Sequence, residues 1–181
     1  MQNMEILDHF EKVLEEGLLK VCKTAGLLAD EILSSPDIDD KWDIYIKDYV
    51  GDAVENFNEY PDAAIAWAGF LGMGVAHNWD TDWEAHRDDF YESYYGPRGW
   101  DDMDEHIMRD LLGLSEEDEK HFSATLNSCA AATLGLIRHE GVEPQTADGF
   151  YILVRAYSVL YRIGAAIELQ RLGYKKQALY S

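Results

Sequence analysis

The chain has 181 residues, of which 47% are hydrophobic and 12% aromatic, and its 35 Asp and Glu outnumber 15 Lys and Arg for a formal net charge of −20. This length suits a single helical domain over residues 1–181 and excludes two large ones, while the apolar content excludes a disordered chain despite the charge. The acidic excess argues against direct binding to nucleic-acid backbone, where Lys and Arg must neutralise phosphates, and predicts a protein partner with a basic surface.

Leu7, Phe10, Leu14, Leu18, Val21, Ala25, Leu28 and Ile32 recur at steps of three and four and predict one long helix, ending near Ser34 and Ser35 where Pro36 stops it. Asp8 and Glu11 stand where a secretory signal would carry Lys or Arg before an apolar run, so a cytoplasmic location is expected. Asp37, Asp39 and Asp40 offer N-caps to a second helix with Trp42, Tyr45, Tyr49, Ala53, Phe57 and Tyr60 on its apolar face. Asp48, Asp52, Glu55 and Glu59 make an acidic stripe on the same helix. Pro61 suits the first turn of a third helix. Its uncharged stretch from Ala63 to Ala76 is about 21 Å long, too short to cross a bilayer and suited to a central buried helix, and no membrane association is expected. Ala64, Ala68, Gly72 and Ala76 form a small-residue stripe for a closely packed neighbour, with Trp67, Leu71 and Val75 supplying bulk elsewhere.

From Asp80 or Thr81 a short acidic, aromatic helix is predicted to run through Phe90 to Tyr95, until Gly96, Pro97 and Gly99 break it. Asp101 or Asp102 caps a further short helix through Ile107, Met108 and Leu111, closed by Gly113. Ser115 with Asp118 resembles a capping box and opens a helix with Phe122, Leu126, Cys129, Thr133 and Ile137 on one face, Arg138 and His139 at its negative end and Gly141 after it. Pro144 and Thr146 introduce a last helix, apolar on most sides from Tyr151 to Leu169. Arg155 and Arg162 lie seven apart on it, and at least one is expected to form a buried ion pair with a carboxylate from the acidic middle of the chain, residues 37–121. Neither period-two alternation nor a repeat is present. The fold class is therefore all-α, a single-domain bundle of six or seven helices, with those beginning near Met4, Ser115 and Thr146 packed around the central apolar helix.

Cys22 and Cys129 lie in apolar helical patterns without Cys-x-x-Cys spacing and read as buried free thiols. Asp82 with His86, Asp102 with His106 and Glu117 with His121 each put an acid one helical turn before an imidazole. So many acids crowd residues 80–121 that chance explains these pairs. The paired motifs of di-iron bundles and zincins are absent, so no metal and no other cofactor is expected. His77 reads as a helix-terminal imidazole bonding the last carbonyls. No nucleophile elbow occurs, and Gly69, Gly72 and Gly74 lack the Lys of a phosphate loop, so no catalytic residue is assigned.

Between Trp79 and Trp100 seven aromatic residues interleave with Asp82, Glu84, Asp88, Asp89 and Glu92, a composition that suits a cage for a cation or the anchors of a protein interface. Trp83, Tyr95, Arg98 and Trp100 are the candidate partner-binding residues. The leading reading is a non-enzymatic helical domain that binds another protein through this acidic, aromatic surface. A DNA-mimic inhibitor built on the Asp48, Asp52, Glu55 and Glu59 stripe is the alternative, although four charges over about 16 Å are sparser than a DNA strand. A metal-dependent or small-molecule-processing enzyme ranks third.

Overall fold

Leu7, Phe10, Leu14, Leu18 and Cys22 fall on one buried face of α1 (Met4–Thr24) in the computed structural model, which describes residues 4–141 and 146–175. The helix ends well before the expected Ser34. Gly26, at φ 78°, takes the left-handed conformation, and Leu27 and Gly26 donate back to the Cys22 and Lys23 carbonyls at 2.9 and 3.0 Å, closing the last turn. Leu28 and Leu33 remain buried in the irregular segment that follows, which is why the apolar spacing imitates a longer helix.

Pro36 opens α2 (Pro36–Phe57) rather than merely stopping α1, with Ser35 in extended backbone as the N-cap in place of the expected aspartates. Ile38, Trp42, Tyr45, Tyr49 and Ala53 face the core, and Tyr60, beyond the helix end, is 57% exposed. Pro61 then begins α3 (Pro61–His86), which runs on through the expected break at Asp80 and kinks only at Asp82. The separate helix from Asp80 to Tyr95 does not form. Residues 87–90 are irregular and Tyr91–Tyr94 make one 3-10 turn. A second 3-10 turn at Trp100–Asp102 leads into α4 (Met103–Glu105) and a π-helical stretch over His106–Leu111, ending before Gly113. Ser115 caps α5 (Glu116–His139) by accepting from the Asp118 amide at 3.1 Å, and Thr146 caps α6 (Ala147–Arg171) by accepting from the Gly149 amide at 3.1 Å. Pro144 lies outside the described residues.

Among the described residues six helices pack as one bundle, with the long, apolar and mostly buried α6 laid along α3 in the most extensive of its contacts. Backbone meets backbone there: a Cβ on Gly164 would lie 1.7 Å from the Gly69 carbonyl oxygen, and one on Gly72 would lie 2.0 Å from that of Tyr161. The small-residue stripe thus receives α6, while α2 and α5 flank α3. Contrary to expectation, α1 rests chiefly on α6 and α5 and has little contact with α3. By length and composition α6, an 18-residue stretch of which has a mean hydropathy of 1.3, is apolar enough to cross a membrane, yet 67% of that stretch is buried inside the bundle.

Tyrosines fill much of the core. The hydroxyls of Tyr49 and Tyr161 donate to the carbonyls of Ala64 and Ile38 at 2.6 and 2.7 Å, so these two rings are buried without stranding their polar tips.

Candidate interaction site

The segment leaving α3 is held down by side chains of α2. Lys41, itself buried, donates to the Arg87 carbonyl and lies 4.9 Å from the Tyr45 ring centroid, and the Tyr45 hydroxyl donates to the Asp89 carbonyl at 2.6 Å. Tyr91 and Tyr94 then turn their rings inward, 5.9 Å from Tyr45 in each case. The hydroxyls of Tyr91 and Tyr95 both donate to one oxygen of Asp52, and Asn78 donates to the Tyr94 hydroxyl at 3.0 Å. Burial, and then the Asp52 carboxylate, push the Tyr95 phenol well above its ordinary range and keep it a donor. What this pinned backbone turns outward is Phe90, 80% exposed, between the exposed acids Asp88 and Glu92.

The proposed partner-binding residues do not form one patch. Trp83 and Tyr95 are half-buried and the Arg98 side chain is 75% exposed, its Nε 3.4 Å from Asp102. Trp100 is a correction: it is buried, 7% exposed, with its carbonyl accepting from Trp67 Nε1 at 2.9 Å and its ring 5.9 Å from that of Trp67. The glycine turn that sends Arg98 outward folds Trp100 back onto the bundle. Because Trp67 precedes Trp83 by sixteen residues of α3, Trp100 docks about 24 Å along the helix from Trp83.

The acidic stripe is also interrupted. Asp48 and Glu55 are exposed, Asp52 is half-buried beneath the two tyrosines, and Glu59 lies past the end of α2. Arg155 and Arg162 do meet carboxylates, but those of α1 rather than of the acidic middle. Arg155 reaches Asp8 at 2.7 Å and Glu11 at 3.3 Å, and Arg162 reaches Glu11 at 3.4 Å and Glu15 at 3.5 Å. All four bridges are only partly buried, the two arginine side chains being 22% and 26% exposed.

None of the three acid–histidine pairs bonds at the anticipated spacing. His86 pairs with Asp89 at 2.8 Å, His106 with Asp110 at 3.0 Å, and His121 with the Ala25 carbonyl at 2.8 Å. Among the described residues no group of three or more His, Cys, Asp and Glu is arranged to hold a metal ion. Cys22 and Cys129 are free and buried, their sulfurs 3.8 Å apart across α1 and α5; the Cys22 contact and then burial raise the Cys129 thiol.

Two features went unread in the sequence. Glu168 of α6 is fully buried, with one oxygen 2.9 Å from His77 Nδ1 and both held by Arg171. His77 serves this cross-helix pair instead of its own helix end because α3 continues beyond it; the clue was a lone acid in an apolar, otherwise basic stretch. The second is a pocket of about 290 Å³ lined by Tyr60, Ala63, Trp67, Trp100 and Asp101. Its aromatic walls come from segments up to forty residues apart, beyond the reach of any local pattern.

Comparison with protein-family models, with curated proteins and with solved structures finds no match to this chain.

Proposed function

We propose that this protein is a cytoplasmic, non-enzymatic interaction domain that holds a basic protein partner on the acidic, aromatic segment following α3. The observation that carries the reading is Phe90: a large ring, 80% exposed, flanked by Asp88 and Glu92 on backbone pinned by Lys41, Tyr45 and the tyrosine pair on Asp52. An apolar anchor on a pre-ordered loop loses little conformational freedom on binding, and surrounding acids steer a cationic partner. Phe90 thus takes the anchoring role that the burial of Trp100 vacates. The DNA-mimic reading draws less support, since Asp52 turns beneath two tyrosines and Glu59 leaves the helix. An enzyme draws less still, because the buried Glu168 has its oxygens engaged by His77 and Arg171 and no Ser, Thr or Cys side chain bonds to it among the described residues.

Affinity capture from the source cells with wild type, Phe90→Ala and an Asp88→Asn/Asp89→Asn double variant tests this. A basic protein retained by wild type, lost with Phe90→Ala and recovered more slowly with the double variant is the expected result. Equal recovery by all three contradicts the proposal.

A further inference from the structure

The pocket at the N-terminal end of α3 has the chemistry of a cation site. Tyr60, Trp67 and Trp100 contribute three aromatic walls, two of them inclined at 37° with centroids 5.9 Å apart, and Asp101 contributes an exposed carboxylate at the mouth that makes no ion pair among the described residues. The Trp67 indole is oriented by its bond to the Trp100 carbonyl, and Trp67 also meets Phe70 edge-on at 5.4 Å, so the wall is built before any ligand arrives. Ring faces attract positive charge through their quadrupoles, and the net charge of −20 reinforces a cation at this mouth. The walls offer carbon surface and one carboxylate. A primary ammonium entering would leave hydrogen-bond donors unmet, whereas a methylated ammonium has few or none to satisfy and sheds its hydration more readily.

We infer that the Tyr60, Trp67, Trp100 and Asp101 pocket binds a methylated ammonium group, carried as a trimethyl-lysine side chain by the protein partner. This rests on the interaction-domain reading for the carrier, but not for the pocket chemistry.

Calorimetric titration of the full chain with a short trimethyl-lysine peptide tests the site against three controls: the unmodified lysine peptide, its neutral tert-butyl isostere, and tetramethylammonium chloride. Saturable binding of the trimethyl-lysine peptide at least tenfold tighter than either peptide control is expected, with tetramethylammonium weaker than the peptide. Tyr60→Ala and Asp101→Asn, both at exposed positions, should each weaken it at least threefold, while Gly17→Ala, in α1 and outside the pocket, leaves it unchanged. Absence of saturable binding, equal binding of the isostere, or undiminished affinity in Tyr60→Ala overturns the assignment. Tetramethylammonium binding as tightly as the peptide overturns the protein-borne source. Since the probes need no partner, a capture experiment insensitive to Phe90→Ala defeats the interaction reading without touching this one.

Discussion

At the scale of single residues, the chain places polar groups where burial changes their chemistry. Asp104 in α4 is the clearest case: burial pushes its carboxyl up to about 6, with Arg109 and backbone N–H groups opposing this incompletely. Between about pH 4 and 6 native Asp104 therefore holds a proton that the unfolded carboxyl, near 4, has already released. Its contribution to stability falls as pH rises from about 4 to 6 and stays low above that. Asp104→Asn, which removes the ionisation, should raise the urea midpoint at pH 7.5 and change it little at pH 4. A loss of stability confined to pH 7.5 would show that the ionised carboxylate is favourable where it lies. Lys41 solves the opposite problem, meeting a carbonyl and a ring face rather than a carboxylate when buried.

Among the helices, the α3–α6 contact depends on glycines that permit backbone approach, and others have no such role. Gly164→Ala drives a Cβ into the Gly69 carbonyl and should destabilise by about 3 kcal/mol, the upper end of ordinary overpacking. Gly17→Ala in α1 meets nothing within 4 Å and should stabilise by about 0.5–1 kcal/mol through helix propensity. Chemical melts of the two variants check both signs; a neutral Gly164→Ala would mean that the two helices are farther apart. Much at this scale was legible in the sequence. The cap at Ser115, the start of the last helix at Thr146, the stops at Gly113 and Gly141 and the small-residue stripe are local signals read correctly from neighbours in the chain. The end of α1 was misread because Leu28 and Leu33 bury themselves without a helix, and the helix after Asp80 because α3 runs on through the capping residues. Of the site, the acidic and aromatic composition was visible. The Asp52 pairing and the burial of Trp100 were not, since they join residues far apart in sequence through tertiary packing.

Over the whole molecule, 35 acids face 15 basic residues, and the arginines of α6 spend part of that small basic complement on fastening α1. These pairs are partly solvated, so Arg162→Ala should cost about 1 kcal/mol, not the several expected of a buried pair. Self-repulsion of the acidic surface is the larger effect. Raising sodium chloride from about 20 to 300 mM, which shortens the screening length severalfold, should therefore raise the melting temperature; a fall would mean that the salt bridges outweigh the repulsion. On the proposed reading, the same charge sets how a basic partner is met, and Phe90 sets how long it stays. The most direct test is the kinetics of the captured partner on immobilised wild type, Phe90→Ala and Asp88→Asn/Asp89→Asn at two salt concentrations. Phe90→Ala should speed dissociation about tenfold with association unchanged, and the double Asn variant should slow association and flatten its salt dependence. Wild-type dissociation in Phe90→Ala, with association indifferent to salt, would contradict the account.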